Sequence, residues 1–218
     1  IINGELTFIC YMPNFLGKEN KLDLQKWLEI KEYKEGMSIS GKEIPRMQVW
    51  YQEKKKYFNE NWKYQYERWK SEEYDDFLLQ IQEAVNQKTN HLINEYCPNI
   101  DKPLINSCLV NKYRDGKDSI KPHRDTPDSF GEYPTISVLS IGGKRKIVFR
   151  KIDYDLKNYN SMKKDKTSEV DFEMELEDNS LFLMGGASQK YYSHEIPKTN
   201  STETRYSLTF REFKYLNE

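Results

Sequence analysis

Two of the chain's three histidines stand where they could bind a metal. In His123-Arg124-Asp125 an imidazole and a carboxylate are two residues apart, on one face if the segment is extended. His194 lies far downstream, just after the aromatic stretch Lys190, Tyr191, Tyr192, which reads as a strand. Two imidazoles and one carboxylate on one side of a metal leave three positions open. That arrangement suits ferrous iron meeting a co-substrate and dioxygen. Alone, His-x-Asp is also what a loop ion pair with Arg124 looks like. The third histidine, His91, falls on the polar side of a helical pattern or near its end and reads as surface.

A second group adds weight to the first. In Arg205-Tyr206-Ser207-Leu208-Thr209-Phe210-Arg211, strand parity puts Arg205, Ser207, Thr209 and Arg211 on one face and the three apolar residues on the other. The two arginines would sit about 20 Å apart along the strand. Their long side chains, converging from both ends, could bracket a short dicarboxylate, one of them making a bidentate contact. Two exposed sheet charges are the plain alternative.

These residues need a scaffold, and the pattern changes midway along the chain. Asp75 to Leu92 predicts a helix, with Leu78, Ile81, Val85 and Leu92 at helical spacing, and Lys21 to Leu28 predicts a shorter one. Ile44 to Phe58 reads as two strands around a charged turn, with Trp50, Tyr51, Tyr57 and Phe58 at their ends. From Leu104 the period becomes two. Ile105, Ser107, Leu109, Asn111 and Tyr113 share a face, and the strand ends at Arg114-Asp115-Gly116. Strands are predicted at Thr135 to Ile141, Lys146 to Ile152, Val170 to Leu176, Ser180 to Met184 and Arg205 to Phe213, with Gly142–Gly143 and Gly185–Gly186 as turns. Short strands without intervening helices imply a sandwich or jelly roll, not a parallel sheet.

The 218 residues suffice for one well-packed domain, and 16 Tyr, 10 Phe and 4 Trp argue against disorder despite a mean hydropathy of -0.92. No apolar run approaches the roughly 20 residues of a membrane helix, so no membrane partner is expected. Ile1 at the start reads as a processing boundary. Cys10, Cys97 and Cys108 show no metal or disulfide spacing, which suits small buried hydrophobes in a reducing, intracellular compartment. A net charge of -1 removes the simplest argument for nucleic-acid binding. Charge nevertheless comes in runs: Lys54 to Lys56, and Lys144 to Lys146 with Arg150 and Lys151, offset by acids at Glu72 to Asp76 and Glu173 to Asp178.

Several of these stretches together resemble the AlkB family. They are Asn111-Lys112-Tyr113-Arg114-Asp115-Gly116; His123-Arg124-Asp125; Ile136 to Gly142; the Arg145 to Arg150 strand; Leu181 to Gly185; Gln189, Tyr192, His194 and Ile196-Pro197; and Arg205 to Arg211. The resemblance spans about Ile44 to Phe213 and is nearest in character to the homologues that repair duplex DNA. It implies a mainly β fold with N-terminal helices, a double-stranded β-helix or jelly roll: residues 1–103 as helical support and lid, 104–213 as catalytic core, one domain in all.

The resemblance also implies an iron- and 2-oxoglutarate-dependent dioxygenase that uses O2 to demethylate N-alkylated bases of DNA or RNA, releasing formaldehyde, succinate and carbon dioxide. His123, Asp125 and His194 would hold Fe(II). Arg205, helped by Tyr113, would take the distal carboxylate of 2-oxoglutarate, and Asn111 and Arg211 its chelating end. Arg46, Trp50, Tyr51, Tyr57, Phe58, Asp128 and Arg150 would serve the substrate. Tyr57 or Phe58 would stack on a flipped base, worth about 1–3 kcal/mol, and Lys54 to Lys56 with Arg145 to Arg150 would grip phosphates. A monomer is expected, with alkylated nucleic acid as partner.

Three positions depart from the family pattern: Thr126-Pro127 precede the acid Asp128, Ser207 stands where Asn is common, and Gln52 replaces a Gly. An oxygenase acting on a protein or small molecule needs the same iron site without the lid. A catalytically silent nucleic-acid-binding module on the same fold is the other alternative, and the intact His123, Asp125, His194 and Arg205 count against silence.

Overall fold

The computed structural model describes residues 1–37, 43–53, 70–152 and 169–214. Lys54 to Lys56, Tyr57 and Phe58 lie outside them. Strands β1 (Thr7–Met12), β2 (Lys34–Met37), β3 (Glu43–Gln52), β4 (Ser107–Tyr113), β6 (Ile136–Gly142), β9 (Ser180–Gly186) and β11 (Arg205–Arg211) form one antiparallel sheet, ordered β1-β9-β6-β11-β4-β3-β2. Strands β5 (Ile120–His123), β7 (Arg145–Lys151), β8 (Val170–Leu176) and β10 (Tyr192–Ile196) form a second, ordered β5-β10-β7-β8. This is the double-stranded β-helix, and the last strand in sequence, β11, stands in the middle of the larger sheet.

Period-two alternation gives that sheet two different faces. Val110, Leu139, Leu181, Leu208 and Phe210 point outward onto helices α1 (Lys18–Glu29) and α2 (Asp76–Tyr96), meeting Leu24, Leu28, Leu78, Ile81 and Val85 in the main core. Each such side chain contributes roughly 1.5–3 kcal/mol by leaving water. Asp75 caps α2 by accepting from Leu78 N at 2.9 Å, and its other oxygen takes Trp27 Nε1 at 2.7 Å and Lys31 Nζ at 2.8 Å. One carboxylate thus starts the long helix and holds the short one. On the inner face Val138, Phe182 and Met184 meet Ile147, Phe149 and Ile196 of the smaller sheet.

Several expectations need correction. The first strand expected from Ile44 is β3, which lies between β2 and β4 with Val49 and Tyr51 in the outer core and Gln48, Trp50 and Gln52 on the inner side; the charged turn at Lys54 to Lys56 and the strand after it lie outside the described residues. Gly185–Gly186 is not a turn but the end of β9, where β1 passes close. A Cβ on Gly185 would stand 2.4 Å from the Phe8 ring, and Gly186 has φ +60 with Leu6 O 2.1 Å from its Cβ position. Lys190 and Tyr191 close the short helix α4 (Ser188–Tyr191), and the strand begins only at Tyr192. Three of the seven large-sheet strands precede residue 104, so the jelly roll draws on both halves of the chain. No helix among the described residues is long and apolar enough to cross a membrane.

Glu5 pins the N-terminal residues to α4. Its carboxylate accepts from Tyr133 OH at 2.6 Å, from Lys190 Nζ at 2.9 Å and from Tyr191 OH. Hydrogen bonds, that of Tyr133 first, bring its pKa down from 4.5 to about 2. A carboxyl depressed on folding contributes stability that is fully present above 4.5 and is lost as pH falls toward about 2. Glu5→Gln should therefore flatten this part of the acid limb when Tm is followed against pH, and an unchanged limb would show the cluster to be idle.

Candidate active site

The two informative histidines come from neighbouring strands of the smaller sheet. His194 of β10 faces His123 of β5 directly in register, with ring centroids 4.3 Å apart. His123 Nδ1 is 3.0 Å from Lys121 O, which fixes that ring, while Nδ1 of His194 is buried with no hydrogen-bond partner among the described residues. Burial first, and then the neighbouring His123, hold His194 well below the usual imidazole range; burial likewise lowers His123. Both rings are therefore neutral at pH 7, the state a metal ligand needs.

Asp125 is 6% exposed and completes the group. Burial alone would push its carboxyl up; the Arg211 guanidinium outweighs that and holds it below the usual range. Arg211 Nε donates to one oxygen at 2.5 Å and Nη2 to the other at 3.2 Å. The backbone N–H of Asp125 donates to Gln189 Oε1 at 2.9 Å, so β11 and α4 both hold this residue. Among the described residues no three such donors are already closed around one point, since Asp125 is turned onto Arg211. The donor set nonetheless fits a ferrous ion: two neutral imidazoles, one carboxylate and a buried nitrogen left over.

Beneath these residues a cavity of about 460 Å³ reaches between the sheets. The alternating face of β11 lines it with all four of Arg205, Ser207, Thr209 and Arg211. Asn111 and Tyr113 of β4 stand opposite Ser207 and Arg205 in register. Arg205 is 1% exposed; its Nη2 donates to Ser140 Oγ at 2.8 Å, while Nε and Nη1 are buried with no acceptor among the described residues. Burial, with Arg145 nearby, lowers its pKa to about 10, so the group stays cationic at pH 7. A buried cation facing no carboxylate is costly unless an anion joins it. Four arginines line the cavity against two aspartates, so its interior selects for anions.

Of the residues assigned to substrate, Arg46 and Asp128 line the cavity. Trp50 is 1% exposed and packs with Leu109, Phe130 and Phe213, and Tyr51 packs on Trp27 in the outer core. Neither lines the cavity, so neither can stack on a base without leaving its packing. Arg150 lies outside it as well, paired with Glu195 at 2.9 Å.

The basic run of β7 differs most from expectation. Pairing with β8 sets it against the acidic run, giving Lys144–Glu175, Lys146–Glu173 and Lys151–Asp171 ion pairs at 3.0, 2.6 and 3.0 Å. Arg145 is buried and donates to the carbonyls of Asp115, Asp118 and Pro197 at 3.2, 2.8 and 2.6 Å. The footprint expected to grip phosphate is neutralised along this strand. The signal for Arg145 was in the sequence: it alternates with Ile147 and Phe149, on the buried side.

A jelly roll that gathers two imidazoles, a carboxylate and a buried arginine facing no carboxylate of the described residues at one cavity defines a class, the non-haem iron oxygenases that use a 2-oxo acid. The family model described as the 2OG-Fe(II) oxygenase superfamily matches residues 8–211. The alpha-ketoglutarate-dependent dioxygenase alkB homolog 3 of Rattus norvegicus is 30% identical over 93% of this chain and 63% of its own length, and that of Homo sapiens 28% over 93% and 65%. The DNA oxidative demethylase ALKBH2 of Arabidopsis thaliana is 31% identical over 49% of this chain and 37% of its own length. Among solved structures, OsALKBH1 superposes with TM-score 0.62 at 13% identity, covering 93% of this chain and 97% of that one. A prolyl hydroxylase from Trichoplax adhaerens gives 0.55 at 14% over 94% and 83%. The chain belongs to the 2OG-Fe(II) oxygenase superfamily and, within it, to the AlkB family. It spans just under two thirds of the alkB homolog 3 proteins from rat and human.

Proposed function

We propose that the chain is an Fe(II)- and 2-oxoglutarate-dependent dioxygenase that oxidatively demethylates N-alkylated bases in DNA or RNA. The observation that carries the reading is Arg205, a buried cation that pairs with no carboxylate among the described residues and lines the same cavity as His123, Asp125 and His194. Those three residues would hold the iron. Arg205 and Tyr113 would hold the far carboxylate of the co-substrate, and Asn111 would hold its near end. Once bound, iron and 2-oxoglutarate would supply the electrons that activate dioxygen, one oxygen atom leaving in succinate as carbon dioxide is released and the other hydroxylating an N-methyl carbon, after which the hemiaminal loses formaldehyde and the base is restored.

The chain's own contribution is orientation and dryness. The inner wall of Val138, Ile147, Leu176, Met184 and Ile196 keeps water from the co-substrate. Arg211 keeps Asp125 ionised until a metal competes for its oxygens.

The name of the Arabidopsis relative, a DNA oxidative demethylase, supports nucleic acid as substrate. The neutralised β7 ladder favours a second reading, oxidation of a protein or small molecule, because it removes one set of phosphate contacts. One assay separates them. With Fe(II) and 2-oxoglutarate, a panel of single- and double-stranded methylated DNA and RNA should yield formaldehyde and succinate together. Succinate without formaldehyde from any oligonucleotide would leave the oxygenase in place and remove nucleic acid as its substrate.

A further inference from the structure

Asn111 lines the cavity, and its side-chain oxygen is already occupied twice. Arg46 Nε donates to Asn111 Oδ1 at 2.9 Å, and Gln48 Nε2 donates to the same atom at 2.8 Å. Both donors come from β3, whose Gln48 pairs with Asn111 in register. Arg46 also donates to Ser119 O at 3.3 Å, and Ser119 N returns a bond to Pro45 O at 2.8 Å, so the arginine is held from two sides. A guanidinium can only donate. The oxygen of Asn111 must therefore face Arg46, and Gln48 must then offer its NH2. Turning the amide over would set its NH2 against two donors. Among the described residues no protein acceptor takes Asn111 Nδ2, which is left facing the cavity.

We infer that Arg46 and Gln48 are positioning residues that lock the Asn111 amide with its N–H donor toward the cavity, so that this site accepts only an oxygen acceptor there. The inference rests on the 2-oxoglutarate reading and adds to it a direct coupling between β3 and the co-substrate. Arg46, assigned above to substrate, acts through Asn111.

Substitutions that change chemistry but little shape test this. Asn111→Asp keeps an acceptor for both β3 donors, so the ligand-free Tm should hold, yet it turns a carboxylate oxygen toward an anionic ligand. Binding of 2-oxoglutarate with Fe(II), titrated anaerobically by calorimetry, should weaken about 30-fold or more. Gln48→Glu provides an acceptor that pairs with Arg46 and draws Asn111 Nδ2 away from the cavity. It should raise the KM for 2-oxoglutarate about ten-fold while kcat stays within about two-fold. Gln48→Leu leaves Arg46 to hold the amide and should cost only about three-fold. A purely packing role predicts the reverse order, since Glu keeps the shape of Gln and Leu does not. If Gln48→Glu binds like the wild type, or Gln48→Leu is the worse of the two, the lock is overturned while the functional reading stands. A wild-type protein that takes up no 2-oxoglutarate overturns the functional reading itself, and the lock with it.

Discussion

Replacing Arg205 with alanine should reduce 2-oxoglutarate affinity by at least about 30-fold. Truncating one partner of a buried charge pair costs on the order of 2–5 kcal/mol, largely because the other charge is left without compensation. Solvent screening does not soften that figure for a residue 1% exposed. Arg205→Lys should recover only part of the loss, because a point charge cannot reproduce a planar fork whose Nη2 is anchored on Ser140 Oγ at 2.8 Å. The ligand-free protein should respond differently. Among the described residues Arg205 faces no carboxylate, so its removal relieves a desolvated charge and offsets the cost of the void it leaves. The Tm without co-substrate should change little, while the rise in Tm on adding 2-oxoglutarate should disappear. Wild-type affinity in the alanine variant would mean that the carboxylate anchor lies elsewhere on the cavity wall.

Asp125→Ala should have the largest effect, because the residue answers to two demands. As one of three donors, its loss should cost more than about 100-fold in Fe(II) affinity, beyond what removing an outer partner of a ligand costs. As the counter-charge of Arg211, its loss leaves a buried guanidinium unpaired, and breaking such a pair typically destabilises by about 3–5 kcal/mol. His194→Ala removes a donor without leaving a buried charge, so it should lose metal with a smaller fall in Tm. Anaerobic iron titration beside thermal denaturation of the two variants separates the effects. Retained iron binding in both variants would refute the ligand set.

What the chain alone revealed followed from local periodicity. The face shared by Arg205, Ser207, Thr209 and Arg211 was legible because β11 alternates cleanly through seven residues. The helix that follows Asp75 was legible from the spacing of Leu78, Ile81, Val85 and Leu92. The facing of His123 and His194 was not. Strand β5 is four residues long, contains Pro122 and shows no apolar alternation; only its ladder with β10 brings the rings together. The same holds for the basic run. Lys146 and Glu173 read as separate patches, and no local rule says that their strands are neighbours. Gln48 escaped notice for the same reason, since its meaning depends on which residue of β4 lies beside it.

The position of β11 between β4 and β6 also bears on how the chain is made. Its two neighbours leave the ribosome long before it does, and until Arg211 emerges they flank an open slot in the larger sheet. Contacts of such sequence separation form late and slowly, and unpaired strand edges invite association with other nascent chains. The strand that fills the slot also brings two of the cavity's four arginines, Arg205 and Arg211. Closing the sheet and gaining the proposed carboxylate anchor are thus one event, and a chain broken anywhere before Arg205 forfeits its central strand and that anchor together.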